Sequence, residues 1–337
     1  MKKIFALMLS VLLLAFGVVF FSACGKDESV IDVYMPDGAP ALSMAQLMSE
    51  ENDFDANVQY HVVNANTIQT YVTGENPDAE LCVLPVNAAA QALGNGTAYR
   101  MLGTVTHGNI FIISETSSDT LTVETLNTLV GKKIGCIQLN SFVGLVLKMV
   151  LADNEIEYTV IEDASQATAD KVNLLNISDP STQIVAGAPY DFIVAAEPVV
   201  SAKTNAIKTF SIVGNLQTLY GEGGYPQAVL VAKTSLIEEN ADLVETFTQA
   251  VISNSEWLKA ETTSSDTIVS AIQSHLPEGQ SPTFNAKNLS KTVIENCAIR
   301  FERAAECKDS VQSFLSKLSS VSGGVTFTMA DSFFYGV

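Results

Sequence analysis

Short apolar runs alternate with amphipathic stretches along most of this chain, and the two periods predict strands and helices in turn. Residues 31–35, 58–63, 80–84, 99–105 and 110–114 read as strands, the last two split by His107-Gly108. Helices are predicted over 41–48 and 87–93, with another starting over 68–72. A polar spacer over 114–119 ends this unit and the rhythm restarts. In the second unit, 133–137, 158–162, 192–195 and 209–213 read as strands, and 141–151 and 165–175 as helices. Glycine-rich 221–224 is the clearest loop. One more strand follows over 228–232, and beyond Lys233 nearly everything reads as helix, notably 240–259, 264–275 and 308–318.

That order predicts an α/β fold of two domains joined by a hinge of two crossovers. The chain is expected to leave the first domain near residue 114 and to return near 225. One lobe is then discontinuous, 28–113 plus 226–337, and the other is the single segment 116–222. In open α/β sheets ligands sit where loops leave the carboxyl ends of strands. Here those loops carry Asp37, Gly38 and Ala39, then Asn87, then Asn140, Ser141 and Phe142, then Glu197, and finally the stretch from Tyr220 to Tyr225. Asp37 before glycine suits a turn as well as a ligand contact. Asn87, and one of Asn140 and Ser141, are expected as helix caps, which leave neighbouring N–H groups open to a polar ligand. Phe142 suits core or a stacking face. Tyr220 and Tyr225 are the aromatic candidates for a ligand's flat face. Arg300 suits a structural salt bridge better than an anion site.

The first residues change the picture. Lys2 and Lys3 precede an apolar run over 4–21, and FSAC at 21–24 closes it with small residues and the first cysteine. A basic head, an apolar middle and a small-residue exit describe a secretory leader, residues 1–23. The cysteine resembles the acylated residue of bacterial lipoproteins, which implies lipidation at Cys24, an extracytoplasmic location and a tether to the cell membrane. An uncleaved anchor of this length is the competing reading. The formal net charge of −19 disfavours nucleic acid, whose backbone is held by Lys and Arg clusters. Cys82, Cys136, Cys297 and Cys307 show no metal spacing and are expected as buried free thiols, a Cys297–Cys307 bridge being the alternative. No nucleophile elbow, phosphate loop or metalloprotease motif occurs, and three scattered histidines are poor material for catalysis. Neither catalytic residues nor a metal or cofactor is expected.

PDGAPA at 36–41, LPVNAA at 84–89, AEP at 196–198 and YPQAV at 225–229 resemble the corresponding stretches of type II solute-binding proteins of ABC importers. IRF at 299–301, AAE at 304–306 and FFY at 333–335 resemble lipoprotein members of that group. The similar branch holds alkanesulfonate, nitrate and thiamine-precursor binders, although a cysteine-rich signature frequent in the last is missing. The resemblance implies a two-lobed type II fold and capture of a small solute of heteroaromatic, carboxylate or sulfonate class. It also implies a monomer that delivers this solute to a permease and its ATPase. A signalling or adhesive lipoprotein is the first alternative, and an enzyme of pyrimidine-synthase type the second.

Overall fold

The computed structural model describes residues 30–49, 54, 57–221 and 223–337. The expected leader, residues 1–23, and the expected lipidation site Cys24 lie outside these residues. Twelve strands among them form two sheets of six. The first contains β1 (Ile31–Pro36), β2 (Val58–Val63), β3 (Leu81–Pro85), β4 (Tyr99–Thr106), β11 (Ala228–Lys233) and β12 (Ile299–Arg303). Its order is β12-β4-β11-β3-β1-β2. The second contains β5 (Ile110–Ser114), β6 (Lys133–Ile137), β7 (Tyr158–Val160), β8 (Val172–Ile177), β9 (Phe192–Ala196) and β10 (Ser211–Asn215), in the order β10-β5-β9-β6-β8-β7. The helices that bear on the site are α1 (Ala39–Leu42), α2 (Val86–Ala92), α3 (Phe142–Asp153), α4 (Leu216–Tyr220), α5 (Ala241–Lys259) and α6 (Ala304–Val321).

The two sheets share one plan. In each, parallel strands (β2, β1 and β3; β7, β8, β6 and β9) are joined by one antiparallel strand that arrives straight from the other sheet. That strand is β11 in the first sheet and β5 in the second. Each lobe therefore has, deep in its sheet, a strand delivered by a crossover, and the first sheet is complete only after the chain has returned with β11 and β12, whereas the second is built from the single segment 110–215. Strands buried on both faces read as continuous apolar runs, as in LCVLP of β3 and AVLVAK of β11.

Four sequence expectations need correction. The first crossover lies at residues 107–109, not near 114. β5 pairs with β9 and β10 in the second sheet, and Gly108 at φ +105° makes the turn from β4 into β5. Residues 165–175 are not a helix. A single short turn at Ala164–Gln166 precedes β8, which pairs with both β6 and β7. Asn173 imitates a polar helix position, but in the strand its amide is held by the Thr168 backbone, donating to its carbonyl oxygen and accepting from its N–H. The helix expected over 41–48 stops at Leu42 and continues as turns. Residues 299–303, placed in a helical tail, form edge strand β12 on β4, where half-buried Arg300 and Glu302 give a periodicity ambiguous between strand and helix.

Packing joins the lobes as well as building each one. One face of the first sheet is covered by α1, α5 and neighbouring helices through Met35, Leu42, Phe247 and Ile268. The other face belongs to an apolar core that runs on into the second lobe, from Leu84 and Tyr99 through Phe314 and Leu315 to Val146 and Val150. Helix α6 lies against α3 across the lobe boundary, and Lys317 Nζ meets Asp153 Oδ2 at 2.6 Å there.

Candidate functional site

The chain enters and leaves the second lobe through two short passages, and these touch. The Gln227 N–H donates to the Thr106 carbonyl at 2.9 Å, and the Val86 N–H to the Gln227 carbonyl at 2.9 Å. Gln227 Nε2 donates to Asn109 Oδ1 at 3.0 Å. An added Cβ on Gly108 would stand 2.4 Å from Gln217 Cγ and 2.8 Å from Tyr225 Cζ, so this glycine is required by close approach as well as by its φ. The end of β4, the start of α2, helix α4 and the Tyr225–Gln227 stretch thus converge at the hinge.

An aromatic cluster fills one side of this corner. Tyr225 stacks on Phe314 at a centroid distance of 5.6 Å, with planes 6° apart. Tyr220 meets both rings edge-on at 6.0 and 5.7 Å, and Phe142 lies 6.2 Å from Tyr225 and 6.1 Å from Phe314. Lys317 Nζ sits 5.1 Å over the Tyr220 ring. The cluster draws on both lobes: Phe142 opens α3, and Phe314 belongs to α6. Tyr225 is fully buried, and burial pushes its hydroxyl well above the usual range. The sequence reading made Tyr225 an exposed stacking face; that exposure is corrected, because Phe314 covers the ring. Tyr220 remains half-buried.

The polar candidates fall at two sheet ends. Asp37, Gly38 and Ala39 follow β1, beside the β3 end that carries Asn87. The Asp37 carboxylate is engaged: Oδ1 accepts from the Gly38 N–H at 2.8 Å, and Oδ2 from Thr283 N and Oγ1 at 2.7 Å each. It therefore pins the 283 loop. Gly38, at φ +105°, has open space around it, and Ala39 is buried. Asn87 does not cap α2, because Pro85 holds the N-cap position and Asn87 follows Val86 inside the helix. Its Oδ1 is buried without a hydrogen-bond partner among the described residues. At the second sheet, Asn140 is exposed and Ser141 holds the N-cap of α3. The Ser141 hydroxyl turns back instead, donating to the Gln138 carbonyl at 2.8 Å, so no side chain caps this helix.

A second polar thread crosses between the lobes. Gln217 Nε2 donates to the Asn296 carbonyl at 3.2 Å, and Asn296 Nδ2 donates to Glu197 Oε1 at 2.7 Å. Glu197 is buried and also accepts from the Ser201 hydroxyl and N–H. Its carboxylate is an internal acceptor here. Arg300 is likewise structural: it donates to Glu302 Oε1 at 2.8 Å and to the Gly223 carbonyl at 2.6 Å. His107 Nε2 lies 3.4 Å from Glu302 Oε2. The hydrogen bond from His107 leads the causes that hold the Glu302 carboxyl down at about 2, while burial lowers the imidazole's own pKa. Gln217, Gln227, Thr106, Asn109, Asn296 and Phe314 were not singled out by sequence reasoning. The only local signal was the unread pair of glutamines flanking the glycine-rich loop.

Chemistry of a catalytic kind is poorly supplied. Cys82, Cys136, Cys297 and Cys307 are free and buried, and burial raises every one of their thiol pKa values, to about 12 at Cys136 and about 11 at Cys307. The described residues hold no group of three or more His, Cys, Asp or Glu placed to bind a metal ion.

Among solved structures, the chain is similar to an ABC transporter protein from Parabacteroides distasonis, with a TM-score of 0.65 and 17% identity over 91% of this chain and 99% of that one. It is also similar to the alkanesulfonate-binding protein SsuA of Xanthomonas axonopodis pv. citri bound to MOPS, with a TM-score of 0.55, 13% identity, and 91% and 99% of the two chains covered. The periplasmic aliphatic sulphonate binding protein SsuA of Escherichia coli gives a TM-score of 0.54 at 13% identity, over 86% of this chain and 87% of that one. The chain has the two-lobed type II solute-binding protein fold. At such identities the likeness speaks for the fold alone, and the two-crossover plan of the sheets agrees with it. No family model matches the sequence, and no curated protein does.

Proposed function

We propose that this chain is an extracytoplasmic substrate-binding lipoprotein: it captures a small organic solute between its lobes and delivers it to an ABC permease. The observation that carries this reading is the pair of touching crossovers at 107–109 and 223–227, with buried polar atoms beside them that lack partners among the described residues. A hinge of two short passages lets the lobes separate about one line, and ligand contacts from both sides then favour the closed arrangement. Solved structures of similar fold include one named as an ABC transporter and two named for sulfonate binding, which supports solute capture as the role.

Native mass spectrometry of the purified protein is expected to show a retained small molecule that leaves on denaturation and returns unchanged after incubation. A converted product formed faster than in a protein-free control would overturn the binding role. The lipid anchor at Cys24 is tested separately. Cys24→Ser is expected to release the protein from the membrane fraction or to leave the 1–23 leader uncut, because acylation needs the thiol. Processed protein that begins at residue 24 and stays membrane-bound after this change would refute the anchor.

A further inference from the structure

Away from the hinge, aromatic rings collect at the outer edge of the first sheet. β2 is the last strand of that sheet, with β3 and β1 between it and the crossover strand β11. A cavity of about 400 Å³ opens there, between β2, the helical turn Ile68–Tyr71 and the turn at 274–277. Tyr34, Tyr60, His61, Tyr71 and His275 line it, each half-buried. The chain has nine tyrosines and three histidines, so five of its twelve such rings meet at one opening. None of the five belongs to the candidate site at the hinge.

The rings are held in order. Tyr34 and His61 are register partners on adjacent parallel strands, so their side chains leave the same face of the sheet. They stack at a centroid distance of 4.4 Å with planes 16° apart, and Tyr71 stacks on Tyr34 at 4.2 Å and 20°. Tyr34 is thus covered on both faces, and the outer rings His61 and Tyr71 each keep one face outside the stack. Tyr60 meets the His275 ring edge to face at 5.6 Å. The backbone fixes the far wall, since the Val62 N–H donates to the His275 carbonyl at 2.9 Å.

The charge beside the rings is negative. Asp32 Oδ1 lies 2.6 Å from His61 Nε2. Burial first, and then the negative groups around it with Asp32 foremost, push the Tyr34 hydroxyl up to about 12. Asp78 and Glu80 belong to the same field, and Lys233 offsets one of them at 2.8 Å from Glu80 Oε1. Burial lowers the His275 pKa, which leaves that imidazole neutral at neutral pH. Among the described residues, no lysine or arginine lines the cavity. An aromatic face presents the negative side of the ring's quadrupole and attracts a cation, and neighbouring carboxylates add to that attraction. An anion would meet the same sign from both.

We infer that this edge cavity is a second binding site, separate from the interlobe cleft, and that it takes a small organic cation, an ammonium group with an apolar body. The outer rings contact the apolar groups around the nitrogen, and Asp32 with its neighbouring carboxylates supplies the countercharge. This site does not depend on solute capture between the lobes.

Choline and its uncharged carbon analogue dimethylbutanol have nearly the same shape, and calorimetry on the purified protein at about pH 8 compares them above the ordinary imidazole range. Choline is expected to bind about five-fold or more tightly than the alcohol, the size of one partly desolvated contact between a cation and a ring. Tyr71→Leu, which removes an outer ring, is expected to weaken choline by about three-fold or more and to leave the alcohol unchanged. Asp32→Asn keeps the shape and removes the charge, and is expected to weaken choline alone by about two-fold or more. If Tyr71→Leu does not fold, Asp32→Asn decides. Equal affinity for the two probes, no binding by choline, or choline affinity retained by either folded variant overturns the site.

Discussion

Replacing Tyr225 by alanine is expected to remove about 3–5 kcal/mol of folding stability, the usual range for deleting a large buried aromatic ring. Tyr225 has no exposed surface, stacks on Phe314 at 5.6 Å and touches Tyr220 and Phe142, so no neighbour is free to fill the space without leaving its own contacts. The loss also loosens the lobe boundary, since the ring's partners come from both α3 and α6. Tyr225→Phe serves as the control. Its hydroxyl makes no well-formed hydrogen bond, so the phenylalanine variant is expected to lie within about 1 kcal/mol of the parent. Urea unfolding of the three proteins settles the matter. If Tyr225→Ala unfolds at the parent's midpoint and only solute affinity falls, the ring is a ligand face and the aromatic cluster is not a structural element.

Gly144→Ala is expected to be damaging for a different reason. Gly144 lies in the first turn of α3, and an added Cβ would stand 1.9 Å from the Leu139 carbonyl oxygen and 2.6 Å from Leu139 Cα. These are backbone atoms, so no rotamer change relieves the clash. Leu139 is fully buried, and its N–H is held by Asn176 Oδ1 at 3.0 Å, which ties the loop to the end of β8. Either the loop over 138–141 moves or the start of α3 unwinds. Overpacking of this kind costs about 1–3 kcal/mol and sometimes more, and a backbone clash belongs at the upper end. The measurement is again the unfolding midpoint, with far-UV circular dichroism to follow helix. An unchanged midpoint would mean that α3 starts later than Phe142.

Much of the scaffold was legible because a strand buried on both faces must be apolar throughout. LCVLP of β3, FIVAA of β9 and AVLVAK of β11 are such runs, and each lies where its pattern places it. Helix α3 was legible from its long apolar stretch. β8 was not, because a strand with Asn173 and Asn176 at helical spacing is told from a helix only by the partners β6 and β7 that satisfy its backbone. β12 was missed on the same ground: half-buried Arg300, Phe301, Glu302 and Arg303 make sense as an edge strand only against β4.

The candidate site divides in the same way. Glycines at 38 and 108, the proline-closed strand ends and the loops bearing Asp37, Asn87, Ser141 and Tyr225 were visible in the sequence, because turns and strand ends are encoded locally. The sequence also determined the alternation that leads to two α/β lobes. Only tertiary structure decided that Phe314, far along the chain, covers Tyr225, and that Thr283 takes up the Asp37 carboxylate. It alone decided that Gln227 meets Asn109 and Gln217 meets Asn296 at the crossovers, while Asn87 Oδ1, Thr106 Oγ1 and His107 Nδ1 stay buried without a hydrogen-bond partner among the described residues. The reason is physical: which polar atom is left without a partner depends on every group packed around it, and those groups come from segments that local sequence does not connect.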